Sequence, residues 1–141
     1  KKKKLMQNIK QINISENISK HTLRGFHYQS YPHGEDKIIS CVKGSIYDVI
    51  IDMRKSSRSY LKWQSFIISE KNRKSVFVPK GCANAYLSLS DNTWVLYFHS
   101  QFYKPGHEKG LRYNDPFFKI RWPSEPKIIS KKDLNINLFS N

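Results

Sequence analysis

The stretch Lys37–Arg54, "KIISCVKGSIYDVIIDMR", decides the fold class. Its two halves, divided at Lys43-Gly44, are dense in Ile and Val, whose branched Cβ suits a pleated surface and crowds a helix. A glycine between two such runs supplies a turn, so they predict two strands joined as a hairpin. Further along, "KWQSFIIS" (Lys62–Ser69) alternates loosely, "EKNRK" interrupts it, and "SVFVP" (Ser75–Pro79) resumes the extended chain. "AYLSLS" stops at Asp91-Asn92, and "TWVLYFHS" (Thr93–Ser100) follows. Short segments at this spacing, with turn signals between them and no sustained helical period, predict an all-β sandwich or barrel rather than a βαβ fold. Residues 1–14 are expected to be helical or frayed. No repeat or linker divides the chain, so residues 1–141 read as a single domain, a length that closes one core.

Composition narrows the functional classes. Hydrophobic residues at 38% and aromatics at 13% suffice for a globular core, and the longest apolar run, Asp48 to Met53, is far too short to span a bilayer. The N-terminus, "KKKKLMQNIKQINIS", has no apolar core of the kind a secretory signal needs. Cys41 and Cys82 stand far apart with no CxxC spacing, which favours reduced, structural thiols. A soluble, cytoplasmic protein is expected, with no membrane partner. The net charge of +14 asks for an anionic partner, whether nucleic acid, a membrane headgroup or a phosphorylated small molecule. The lysines are scattered, however, and after Lys1–Lys4 no block of like charge marks a nucleic-acid tail.

The stretch Leu23–Lys37, "LRGFHYQSYPHGEDK", concentrates ionisable groups. His27, Tyr97, Asp133, Lys37 and Arg24 would together supply a neutral base, an acid, an orienting carboxylate and two cations. Taken singly, a histidine or tyrosine in a β protein is more often structural, and His21, His33, His99 and His107 keep that reading.

A resemblance selects among these residues. "LRGFHYQ" with a lysine ten positions after His27, "CVKGSIYDVIIDMRKSSRSYLKW", "VPKGCANAYLSLSDNTWVLYFHSQFYKPGHEKGLRYNDP", "IRWP" and "IISKKD" occur in order. They resemble the dTDP-4-dehydrorhamnose 3,5-epimerase family, with its "CVxGxxxDVxVDxRxxSxTYxxW" and "PxGxAHGFxxLSDxxxxxYxxxxxYxPxxExGxxxxDP", from about Ile14 to Asp133. The resemblance implies a cupin jelly roll, a homodimer and no cofactor. It also implies a nucleoside-diphosphate 4-keto-6-deoxyhexose as substrate, inverted at the carbons flanking the ketone on the way to dTDP-rhamnose. By the same resemblance His27 is the base, Asp133 its partner, Lys37 the group at the ketone oxygen and Tyr97 the proton donor on the opposite face. Arg24, Gln29, Asn84, Tyr103, Glu108 and Lys132 fall at substrate-binding positions, Arg24 toward the diphosphate and Tyr103 as the base-stacking ring.

Departures from the pattern set the alternatives. Asn84 replaces the histidine of "AHGF", which implies altered specificity, inversion at one carbon only, or an inactive sugar-binding protein. The family's upstream "ERGxFxE" segment is missing from this sequence, so a fragment of a longer chain is expected, and its "QDN" becomes "QIN" at Gln11–Asn13. A metal-dependent cupin would need histidines at i and i+2 and another on a later strand; here Gln29 and Asn84 stand at those places, and no metal is expected. A nucleic-acid-binding barrel would exploit the basic charge with exposed aromatics, and no nucleic acid is expected on the family reading.

Overall fold

The computed structural model describes residues 6 and 8–140. Ten strands and one short helix follow in order: β1 (Gln11–Asn17), β2 (Thr22–Gln29), β3 (Lys37–Lys43), β4 (Ser45–Asp52), β5 (Trp63–Ser69), β6 (Ser75–Val78), β7 (Cys82–Ser88), β8 (Thr93–His99), β9 (Glu108–Gly110), β10 (Ile128–Ile129) and α1 (Lys131–Leu134). The strands form a four-stranded sheet, β1-β8-β3-β6, and a six-stranded sheet, β10-β2-β7-β4-β5, with β9 added alongside β2. Every pairing is antiparallel except β10 with β2. The all-β expectation holds. Among the described residues no helix is long and apolar enough to cross a membrane.

Two expectations need correction. Residues 1–5 and 7 lie outside the described residues, but Gln11–Ile14 are strand, paired to β8 from Gln11↔His99 to Asn17↔Thr93. The segment alternates polar and apolar residues, "QINIS", and that period belongs to a sheet rather than a helix. Nor do β3 and β4 form a hairpin. β3 pairs β6 and β8, whereas β4 pairs β5 and β7 in the other sheet. Gly44, at φ +78°, is therefore the corner where the chain crosses between sheets; a Cβ there would meet Ser90 Oγ at 2.4 Å.

Burial explains why the second half of the deciding stretch does not alternate simply between apolar and polar residues. One core lies between the sheets and includes Ile39, Ile46, Ile68, Val78, Tyr86 and Val95. A second covers the outer face of the six-stranded sheet, where Phe26, Val49, Ile51 and Ala85 pack under Leu111 and Phe118. Trp63 locks this cover by donating from Nε1 to the Phe118 carbonyl at 2.9 Å. β7, central in its sheet and covered on both faces, is buried along its whole length. β4 is likewise buried on both faces, so its sequence cannot alternate simply between apolar and polar. Cys41 and Cys82 are free and buried in the inter-sheet core.

Candidate active site

The inter-sheet core does not fill the sandwich. Beyond it a cavity of about 670 Å³ opens, within the range typical for small-molecule sites. The four-stranded sheet contributes Lys37, Tyr97, His99 and the inward side chains of β1; the six-stranded sheet contributes Arg24, His27 and Asn84. Tyr103, Glu108 and the segment around α1 close one side.

His27 stands on β2 two residues after Gly25, whose φ is +109°. A Cβ at Gly25 would lie 2.5 Å from the Asn84 carbonyl oxygen, so glycine lets β2 approach β7 closely. The imidazole Nε2 meets Asp133 Oδ1 at 2.6 Å. Asp133 is held by local structure. Ser130, the N-cap of α1, accepts from the Asp133 amide at 3.1 Å, and the Gly25 amide donates to Asp133 Oδ2 at 3.2 Å. Burial acts to raise the Asp133 pKa, but the bonds from His27 and the Gly25 amide outweigh it and hold the carboxyl below its ordinary value. A carboxylate on Nε2–H leaves Nδ1 as the lone pair that can take a proton.

Across the cavity, burial pushes the Tyr97 phenol well above its ordinary value, reinforced by Tyr86 and Asp48, so the hydroxyl keeps its proton. Its ring stacks on His99 with centroids 5.8 Å apart and 17° between planes. Lys37 is nearly buried at the start of β3, its Nζ 3.6 Å from Glu35 Oε1. Arg24 donates from Nε to Asn17 Oδ1 at 2.8 Å, which braces the guanidinium at the cavity wall. At the mouth the exposed Tyr103 ring lies by Glu108, which also receives Lys132.

The expected site residues His27, Tyr97, Asp133, Lys37, Arg24, Asn84, Tyr103, Glu108 and Lys132 all line this one cavity. Gln29 is not among the residues that line it. It is buried, donates to the carbonyls of His33 and Phe102 at 2.9 and 3.3 Å, and accepts from the Lys104 amide at 2.7 Å. Gln29 thus clamps the loop that carries Tyr103. Gln11 and Asn13 of β1, the ends of the "QIN" that stands for the family's "QDN", line the cavity, as do Glu35 and His99, which were not among the expected site residues. His99 Nδ1 lies 3.0 Å from Glu35 Oε2, and its Nε2 lies 3.4 Å from Asn13 Nδ2. Asp48, also missed, is fully buried and accepts from Asn84 Nδ2 at 2.8 Å. The signal was present, because an aspartate in the middle of an apolar strand run is rarely buried without a partner. Among the described residues no group of three or more His, Cys, Asp or Glu side chains is arranged to hold a metal ion.

The model of the dTDP-4-dehydrorhamnose 3,5-epimerase family matches residues 1–141. The Shigella flexneri dTDP-4-dehydrorhamnose 3,5-epimerase is 36% identical over 129 residues, 89% of this chain and 71% of its own length. A Bacillus anthracis dTDP-4-dehydrorhamnose 3,5-epimerase crystallised with TDP and PPi bound superposes with a TM-score of 0.91 at 36% identity, covering 94% of this chain and 75% of that one. A 3'-monoepimerase of Streptomyces bikiniensis in complex with dTDP-quinovose superposes at 0.86 with 30% identity, covering 92% and 66%. The chain spans between 52% and 71% of the length of curated relatives that it matches. Its two sheets are the cupin jelly roll of these enzymes. Matched by the family model from end to end and carrying its signature residues around one cavity, the chain belongs to the dTDP-4-dehydrorhamnose 3,5-epimerase family.

Proposed function

We propose that this chain carries the active site of an epimerase that inverts C3, C5 or both in a nucleoside-diphosphate 4-keto-6-deoxyhexose, with dTDP as the nucleotide and dTDP-rhamnose-type deoxysugar synthesis as the setting. The observation that carries this reading is the His27–Asp133 pair facing Tyr97 and Lys37 in one cavity. A hydrogen on a carbon next to a ketone is acidic only insofar as the enolate is stabilised. His27 Nδ1 takes that proton, and the C–H electron pair moves into an enolate whose charge rests on the carbonyl oxygen. Asp133 stabilises the imidazolium that forms. Lys37 Nζ donates to the enolate oxygen. Tyr97 then gives its hydroxyl proton to the same carbon from the other face, which inverts it, and solvent restores both groups. Arg24 binds the diphosphate and Tyr103 the base, while Glu108 and Lys132 frame the mouth. The working form is a cytoplasmic homodimer.

Asn84, standing where the family pattern has histidine, leaves a second reading, inversion at one carbon only, an activity that the relative bound to dTDP-quinovose, a 3'-monoepimerase, has by name. Proton NMR of dTDP-4-keto-6-deoxyglucose in D2O tests both. Loss of the C3 and C5 signals, abolished in His27→Ala and slowed by about 10²–10⁴ in Asp133→Asn, supports the double epimerase. Exchange at C3 alone supports the second reading. Exchange that His27→Ala leaves unchanged overturns the assignment of the base.

A further inference from the structure

Asn84 lies directly opposite His27 in the β2–β7 ladder, so the two side chains share one face of the sheet and both line the cavity. The Asn84 amide cannot choose its orientation freely. Its Nδ2 donates to Asp48 Oδ1 at 2.8 Å and to the Val49 carbonyl at 3.2 Å. A backbone carbonyl only accepts, so the group facing it must be the NH2, and both of its hydrogens are committed. The amide oxygen accepts nothing from the described residues.

The anchor itself is unusual. Asp48 Oδ2 is a buried side-chain oxygen with no hydrogen-bond partner among the described residues. Burial, opposed by Asn84 and Lys37, pushes this carboxyl up to about 7. A proton on Oδ2 relieves the buried charge and leaves Oδ1 as the acceptor that holds Asn84.

On the epimerase reading, we propose that Asp48 and Val49 lock Asn84 with its amide oxygen toward the sugar, making Asn84 a specificity-determining acceptor for a hydroxyl beside the carbon that His27 deprotonates. At that place a hydroxyl is paired, a deoxy carbon leaves the oxygen unpaired, and a second carbonyl is repelled. The cavity therefore selects a hexose that keeps its ring hydroxyl next to the reacting carbon.

Calorimetric binding of dTDP, dTDP-glucose and the 2-deoxy and 3-deoxy analogues of dTDP-glucose tests this. The unmodified chain is expected to bind dTDP-glucose about threefold to tenfold more tightly than the 2-deoxy analogue, which lacks the hydroxyl beside C3, with the 3-deoxy analogue as the control that loses the hydroxyl on C3 itself. Asn84→Leu is expected to lose that preference while binding dTDP as before, and Asp48→Asn, which keeps an acceptor for Asn84, to retain it. The analogue series on the unmodified chain decides the matter even where a variant fails to fold. Equal affinity for all three sugars overturns the inference, as does an Asn84→Leu that weakens dTDP and its sugars alike. If the unmodified chain binds neither dTDP nor dTDP-glucose, the epimerase reading fails and this inference fails with it; binding without a hydroxyl preference removes only the inference.

Discussion

Asp48, behind Asn84, and Asp133, at the cavity wall, are both buried carboxyls, and their surroundings drive their pKa values apart. Asp133 receives His27 and the Gly25 amide, whereas among the described residues Asp48 has one side-chain donor and an unpaired oxygen. The groups acting on Asp48 are Asn84 on β7 and the Lys37 ammonium on β3, with the Tyr97 phenol on β8 coupled to it. The sign of the effect on folding follows. The unfolded chain releases this proton near 3.8 and the folded chain holds it to about 7, so between those values the folded state binds more protons. The contribution of Asp48 to stability therefore falls as pH rises from about 4 to 7 and levels off above that. Asp48→Asn cannot titrate. Its stability relative to the unmodified chain should rise across that window, by on the order of a few kcal/mol at pH 7. Urea melts of both proteins at pH 4, 5.5 and 7 measure this, and a difference that does not change with pH would mean Asp48 is ionised in the fold.

At the scale of elements, β2 matters most, because it carries Arg24 and His27 and pairs with β7, β9 and β10. Its register against β7 shifts between Gly25 and His27, and His27 pairs both Asn84 of β7 and Gly110 of β9. Gly25 permits the approach to β7, where an added Cβ would also meet Ala85 Cα at 2.8 Å, and its amide secures Asp133. Gly25→Ala is expected to destabilise the fold by about 3 kcal/mol or more, since the colliding atoms are backbone and the φ is positive. Activity should fall further than the folded fraction does, because β2 must shift and takes His27 with it. Denaturant unfolding beside the exchange assay separates the two effects; a variant as stable and active as the parent would show that the close approach is not needed.

Over the whole molecule, a charge of +14 does little for the fold but creates a field that attracts a nucleoside diphosphate. Salt should screen that attraction. Between about 50 and 500 mM NaCl the Debye length falls from roughly 14 to 4 Å, so kcat/KM should drop on the order of tenfold, carried by KM with kcat nearly constant. Steady-state kinetics across that range test the point, and a salt-independent KM would make the charge irrelevant to substrate capture. Legibility also differs with scale. The strands from Lys37 to Ser100 were readable because β-branched runs and turn residues act locally, and the site residues were readable because the signature stretch names them. The pairing of β3 was not readable, since a glycine corner between sheets and a hairpin turn share the same local chemistry. Gln29, Glu35, His99 and Asp48 escaped for a related reason: their roles depend on partners at Phe102, Lys37, Asn13 and Asn84, which only folding brings near.

The sequence by itself determined the strands from Lys37 to Ser100, the family and nine residues of the cavity wall, because each rests on residue type and order along the chain. Tertiary structure alone decided which strands share a sheet, that Gln29 clamps a loop, and that Asp48 and Val49 hold the Asn84 amide by its NH2. These depend on hydrogen-bond partners far apart in sequence, and a donor's direction is defined only once its acceptor has a place.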